Sequence, residues 1–185
     1  MFSKTSSLNL PISLSIPIST LIFIGLSLLS FSISFSLGHP QWLIGTIVNA
    51  CLFLSVIFLP RKFILPLMIL PSLGVLSRGI IFGPFTIFLV YFLPFIWLSN
   101  LFLILVFKKF FSYLNYFSSV LIAATAKFLF LFISANLYFK FSLIPKVFLQ
   151  LMGINQFLTA LAGGIISWVI FNFYAKHNSG NKRTA

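Results

Sequence analysis

The chain consists of six long apolar runs separated by short polar or basic segments. The runs cover residues 10–37, 42–60, 63–83, 85–107, 117–138 and 151–174. Each is close to the roughly 20 residues that a helix needs to cross the hydrocarbon core of a bilayer. The pattern predicts an all-α membrane protein, a bundle of six transmembrane helices that forms a single integral membrane domain over residues 1–185, with a short polar tail at 175–185.

The third run differs from the others because glycine and proline interrupt it. The interrupting residues, with the proline that follows the run, are Pro66, Pro71, Gly74, Gly79, Gly83 and Pro84. Proline removes a helix hydrogen bond, and irregular backbone is tolerated in lipid only where protein or a water-filled cavity covers it. We therefore predict a broken or re-entrant third region, of the kind that builds substrate sites in transporters.

Two other interpretations of the apolar pattern are disfavoured. Residues 9–19 and 30–36 alternate with period two, as the strands of a membrane barrel do, but the later runs do not alternate. The N-terminal segment resembles a signal peptide, yet its basic region is one lysine, Lys4, its apolar run is long, and no small-residue cleavage motif follows. The sequence therefore predicts an uncleaved first helix.

The basic residues lie mainly on one side of the predicted topology. With six spans, both termini share a side, and that side holds eight basic residues. They are Lys4, Arg61, Lys62, Lys108, Lys109, Lys176, Lys182 and Arg183. The opposite loops hold Lys140 and Lys146. Since basic loops stay in the cytoplasm, we predict a bacterial inner (cell) membrane protein with both termini cytoplasmic.

The chain contains no Asp or Glu, whereas it contains 12 Lys or Arg and is 60% hydrophobic. The missing carboxylates exclude paired-carboxylate hydrolysis, magnesium–phosphate sites and a Ser-His-Asp triad. A single cysteine, Cys51, excludes an internal disulfide and an iron–sulfur cluster. We therefore expect no enzyme activity, no catalytic residue, no metal site and no cofactor.

The net charge of +12 indicates anionic lipid rather than nucleic acid as a partner. A nucleic-acid face would show a basic stripe with interleaved polar groups, and this chain has none. Its basic residues border apolar runs, where lysine and arginine bind anionic headgroups. We predict the lipid bilayer and anionic lipids as partners, and no nucleic acid.

Two cations fall inside the predicted membrane segments. Arg78 lies 16 residues after Lys62, about 24 Å along a helix, and either binds a ligand or extends to the outer headgroups. Lys127 lies near mid-bilayer, where an ammonium costs roughly 2.5–3.5 kcal/mol. With no carboxylate in the chain, its partner must be a carbonyl, a hydroxyl, water, another subunit's acid or an anionic ligand, unless the lysine is neutral or reaches the interface.

Polar and small residues complete the candidate set. The fifth run has a small-residue face of Ser119, Ala123, Ala126, Lys127 and Ser134, and the sixth has one of Gly153, Gln156, Ala160, Gly164 and Ser167. Close helix packing explains the sixth-run face. Asn49, Asn100 and Asn136 are intramembrane amides, which commonly join helices. Asn100 has the stronger claim to a ligand because Tyr91, Trp97 and the helix-kinking Pro94 precede it. The predicted ligand-binding residues are Arg78, Lys127, Asn100, Trp97 and Tyr91.

Residues 40–49, 71–86 and 94–100 resemble a family of small, uncharacterised bacterial multi-pass membrane proteins, some of which are labelled iron hydrogenase. The resemblance covers residues 38–110, and one cysteine cannot hold the clusters that the label implies. In size and span number the chain is similar to the substrate-capture (S) component of energy-coupling-factor transporters. The alanine-rich coupling face of the S components is replaced here by Gly25, Ser27, Ser30 and Ser34.

The sequence favours a membrane-embedded solute-binding or transport subunit for a small anionic or polar solute. It has no ATP-binding motif of its own, so the resemblance implies a transmembrane coupling subunit and ATPases as partners that supply energy. The alternative is a non-transporting assembly or scaffold subunit with a basic cytoplasmic face. An intramembrane enzyme is disfavoured because carboxylates are missing.

Overall fold

The apolar runs form helices, which satisfy their backbone hydrogen bonds internally. The computed structural model describes residue 12 and residues 14–37, 40–82 and 86–181, and this part of the chain contains no strand. Its helices are α1 (Ile16–Ser36), α2 (Gln41–Phe58), α3 (Ile64–Phe82), α4 (Thr86–Phe111), α5 (Tyr116–Lys140), α6 (Val147–Leu151) and α7 (Ile154–Asn181). Six of them are long and apolar enough to cross a membrane. The predicted all-α class and the six candidate spans are confirmed.

Helix α2 lies at the centre of the bundle, with 72% of its span buried. It packs chiefly against α7 and also contacts α1, α3 and α4, while α4 packs against α5 and α1 against α3. Leu52, Phe53 and Ile57 of α2 are fully enclosed. Since α2 is covered on most sides, its polar side chains Thr46, Asn49 and Ser55 are buried against other helices.

The connections between the long helices gather at two ends of the bundle, because short connections reverse the chain direction. One end, here called the basic end, holds Arg61 and Lys62 before α3, Lys108 and Lys109 in the last turns of α4, and Lys176 in α7. The opposite end holds the connections after α1 and α5. Of the eight basic residues predicted to share a side, Lys4, Lys182 and Arg183 lie outside the described residues. The other five follow the predicted alternation.

Helix α7 continues beyond the apolar run that ends at residue 174. It remains helical to Asn181, so it extends into the predicted polar tail. Helix α3 runs from Ile64 to Phe82 and includes Pro71. The helix is continuous through Pro71, Gly74 and Gly79, so the predicted interruption does not occur at these positions. Gly83 and Pro84 lie outside the described residues, so a break there stays a prediction.

Glycines allow close contact between two pairs of helices. A Cβ atom on Gly163 of α7 would lie 2.7 Å from the backbone nitrogen of Ala50 in α2. A Cβ atom on Gly74 of α3 would lie 2.7 Å from the backbone oxygen of Phe31 in α1. Real Cβ atoms do not approach backbone this closely. Glycine therefore sets the α2–α7 and α1–α3 spacing.

Replacing Gly163 with alanine should lower the free energy of unfolding by about 1–3 kcal/mol, because the methyl group would push α2 and α7 apart. Gly25→Ala is the matched control, since nothing lies within 4 Å of that position and alanine favours helix. Thermal unfolding of the detergent-solubilised protein measures both variants. Equal stability of Gly163→Ala and the parent would contradict the close α2–α7 contact.

Candidate functional site

A cavity of about 240 Å³ lies between the helices, in the half of the bundle away from the basic end. About half of its described lining side chains are apolar. The charged side chains among them, Arg78 of α3 and Lys127 of α5, are both positive. The chain has no Asp or Glu to balance them. The cavity therefore has the electrostatic character of an anion site.

Lys127 is almost fully buried, at 3% exposure, and it joins three helices. Its Nζ donates hydrogen bonds to Oδ1 of Asn49 in α2 at 2.7 Å and to Oδ1 of Asn100 in α4 at 2.8 Å. An ammonium group can donate three hydrogen bonds, and the described residues accept two from Lys127. One donor position therefore remains for a ligand in the cavity.

Neighbouring contacts fix the orientation of the two amides. Nδ2 of Asn49 donates to Oγ1 of Thr159 in α7 at 3.3 Å, and Nδ2 of Asn100 donates to the backbone oxygen of Met68 in α3 at 3.3 Å. Because both amide nitrogens have acceptors elsewhere, both amide oxygens point at Nζ. Two dipoles thus solvate the lysine, but they bring no negative charge to neutralise it.

The lining is layered along the helix axes. Lys127, Asn49 and Asn100 form a polar layer near mid-bundle. About one turn further from the basic end lies a group of apolar side chains, here called the apolar belt. Its members are Ile44, Val75, Ile96 and Leu131, from α2, α3, α4 and α5. Residues three or four apart share a helix face. Ile96 lies four positions before Asn100, and Leu131 lies four positions after Lys127. Each is therefore about one helical turn further from the basic end than the polar layer.

Arg78 lies on the far side of the belt, three residues after Val75 on the same face of α3. It is half-buried and donates no hydrogen bond to the described residues. Gln41 and Trp42, at the start of α2, also line this outer part of the cavity and are exposed. The cavity therefore has one cation at its outer opening and one at its inner end.

The structure brings together three of the five predicted ligand-binding residues. Arg78, Lys127 and Asn100 line the same cavity. Trp97 lies behind the wall, where its indole Nε1 donates to Oγ of Ser72, a lining residue, at 2.6 Å. Tyr91 does not join this group, because its side chain is 61% exposed on the outside of α4.

Asn49 is a site residue that the sequence interpretation left among the helix-joining amides. Its distance along α2 from the basic end could have identified Asn49 as a partner of Lys127. Asn100 lies 11 residues before the end of α4, and Lys127 lies 11 residues after the start of α5, both about 16 Å from the basic end. Asn49 lies nine residues before the end of α2, about 14 Å from the same end. Groups of equal depth in neighbouring spans can meet.

Of the other predicted polar positions, Gln156 also lines the cavity, whereas Asn136 and Ser167 do not. Asn136 donates to the backbone oxygen of Phe132 in its own helix and is half-buried. Tyr116 of α5 donates to the backbone oxygen of Gly164 at 2.8 Å and also hydrogen-bonds to Ser167, both in α7. These contacts tie α5 to α7 near the basic end, away from the cavity.

No family model, curated protein or solved structure matches this chain. The resemblance of residues 38–110 to the small bacterial family, and the architectural similarity to S components, therefore stay predictions. The function is inferred from the cavity, its two cations and the absence of Asp and Glu.

Proposed function

We propose that the protein is a multi-pass protein of the bacterial inner membrane that captures a small anionic solute in this cavity, as the solute-binding subunit of a transporter. The observation that carries the proposal is the pair Arg78 and Lys127 in one cavity of a chain without Asp or Glu. A cation inside a membrane protein is costly unless it is paired. An anionic solute supplies the missing charge.

The charge distribution supports an orientation for this subunit. Lysine and arginine of the basic end favour the cytoplasm, with both termini on that side. There they face anionic lipid headgroups, which attract basic residues near the membrane surface. The half of the bundle that holds the cavity then faces outward. The solute enters from the outer side and meets Arg78 first.

Uptake against a gradient needs an energy source that this chain lacks. The sequence has no glycine-rich phosphate loop and no carboxylate to hold magnesium. In the proposed function, a transmembrane coupling subunit and ATPases provide the energy, as the similarity to S components of energy-coupling-factor transporters implies.

A non-transporting assembly subunit is the second candidate, and the basic end favours it. Arg61, Lys62, Lys108 and Lys109 gather there without any acidic residue, and Arg61 lies close enough to Lys108 for their charges to interact. Such a surface fits an acidic partner as well as lipid. This candidate gives no role to Lys127 or to the cavity, so ligand binding separates the two.

The test is stabilisation of the purified, detergent-solubilised protein by small anions. Inorganic phosphate and glutarate should raise the thermal stability of the parent, by about 2.7 kcal/mol at a hundredfold excess over Kd. Lys127→Met should lose this response because it removes the inner cation. Lys109→Met, an exposed lysine of the basic end, is the matched control and should keep it.

General salt effects act on all three proteins equally, so the difference between Lys109→Met and Lys127→Met is the quantity of interest. If the parent responds to neither anion more than Lys127→Met does, the capture function is wrong and the assembly function takes its place.

A further inference from the structure

The apolar belt separates the two cations of the cavity. Ile44, Val75, Ile96 and Leu131 offer no hydrogen bond to a solute, and they come from four different helices, so apolar surface predominates in the middle of the cavity. Ser72 and Gln156, which also line the cavity, add polar groups at about this depth. The polar layer around Lys127 lies on the side of the belt nearer the basic end, and Arg78 lies on the other side. A solute that fills this space meets charge, then apolar surface, then charge.

We propose that the solute is an organic dianion, with two anionic groups such as carboxylates joined by an apolar middle. This inference rests on the proposed function and names the class of solute. One anionic group binds Lys127, beside Asn49 and Asn100. The apolar middle lies within the belt, and the second anionic group binds Arg78.

At the inner end of the cavity, the charge of Lys127 favours an anion as ligand. Lys127 is buried, its Nζ contacts two neutral amides, and the described residues leave one of its hydrogen-bond donors unused. At the outer end, Arg78 favours a second anionic group. Its side chain is half-buried, lines the same cavity and donates no hydrogen bond to the described residues. Guanidinium offers a planar fork that matches a carboxylate with two parallel hydrogen bonds. Two cations and no acidic side chain are balanced by two negative charges.

An inorganic anion fits this cavity less well. Its volume of about 240 Å³ is many times the ~10–15 Å³ that a cavity needs to hold one water. Phosphate would fill only a small part of it. A hydrated anion at the belt would also lose water contacts that apolar side chains cannot replace. An apolar middle instead gains from contact with the belt.

The height of the belt sets the minimum length of the solute, because Arg78 lies a further three positions beyond the belt residue of α3. Ile96 lies four positions from Asn100, and Leu131 lies four positions from Lys127, which at 1.5 Å per residue is about 6 Å. With single bonds near 1.5 Å, this is the length of roughly four or five extended carbon atoms. Glutarate and adipate are therefore the shortest probes that can span the belt.

The experiment compares dicarboxylates with monocarboxylates of equal carbon number, by calorimetry or thermal shift on the full-length protein in detergent. We expect adipate to bind at least tenfold more tightly than hexanoate, and more tightly than malonate, which is too short to span the belt. In Arg78→Gln the preference for adipate over hexanoate should disappear while hexanoate binding is kept. Arg61→Gln, at the basic end, is the matched control and should keep the preference.

A variant of the belt tests the apolar middle separately. Val75→Thr keeps the side-chain shape and adds a hydroxyl, so it should weaken adipate binding severalfold, whereas Val90→Thr, on the exposed surface of α4, should not. Hexanoate binding as tightly as adipate, or affinity that does not depend on length, would overturn the dianion inference. Proposed capture would still hold if phosphate or any of these anions bound through Lys127, and would fail with the inference if none did.

Discussion

Lys127→Met should lower the free energy of unfolding by about 2–4 kcal/mol. Its Nζ is the donor to Oδ1 of both Asn49 and Asn100, and both oxygens would remain buried without it. An unsatisfied buried acceptor costs about 1–3 kcal/mol. The loss of a buried ammonium offsets part of this cost. Thermal or denaturant unfolding in detergent, without added anion, measures the change.

The triple variant Lys127→Met, Asn49→Leu and Asn100→Leu is the control for this explanation. It replaces the whole polar cluster with apolar side chains, and such replacement is often neutral or stabilising. We expect it to recover most of the lost stability while anion binding stays absent. A triple variant less stable than Lys127→Met would mean that the amides stabilise the bundle through other contacts, such as those to Thr159 and Met68.

Arg78→Lys should weaken adipate binding about fivefold to thirtyfold, equivalent to about 1–2 kcal/mol. Lysine keeps the positive charge but cannot form the paired hydrogen bonds of a guanidinium. The effect is at the lower end for a charge-assisted contact because Arg78 is half-buried and water screens its charge. Calorimetric titration of the parent and the variant gives the ratio.

Arg61→Lys is the matched control for that change, because Arg61 is exposed at the basic end and lies outside the cavity. Expression and thermal stability without ligand should be the same in all three proteins. If Arg78→Lys binds adipate as the parent does, length and charge are sufficient at this position, and Arg78 extends toward the outer headgroups instead of holding the solute.

The helices could be predicted from the sequence because a bilayer imposes one length on every span. The runs at 42–60 and 117–138 therefore gave α2 and α5 within a few residues. Lys127 could also be identified, since a charge in such a run needs an interior position. The structure places it at 3% exposure.

The partners of Lys127 depend on how the helices pack, which hydropathy does not encode. Nothing in the run 42–60 shows that α2 is central, because its mean hydropathy of 1.9 lies within the range of 1.3 to 2.2 of the six spans. Its burial follows from contact with four other helices, in part through Gly163. Tyr91 shows that closeness in sequence does not place a residue in the site. It is near Trp97 and Asn100 in sequence, but the helical turn directs it to the outer surface of α4.

The pairing of α2 with α7 has a consequence for biosynthesis. The hydrogen bond between Asn49 and Thr159 joins residues 110 positions apart, and the principal neighbour of the central helix is translated after all the other described helices. Until α7 has been translated, the face of α2 that will receive Gly163 has no partner, and long-range contacts of this kind form late. A nascent chain halted before α7 would expose this face to chaperones and membrane proteases. The uncovered face of the second helix would thus distinguish an incomplete chain from a complete bundle.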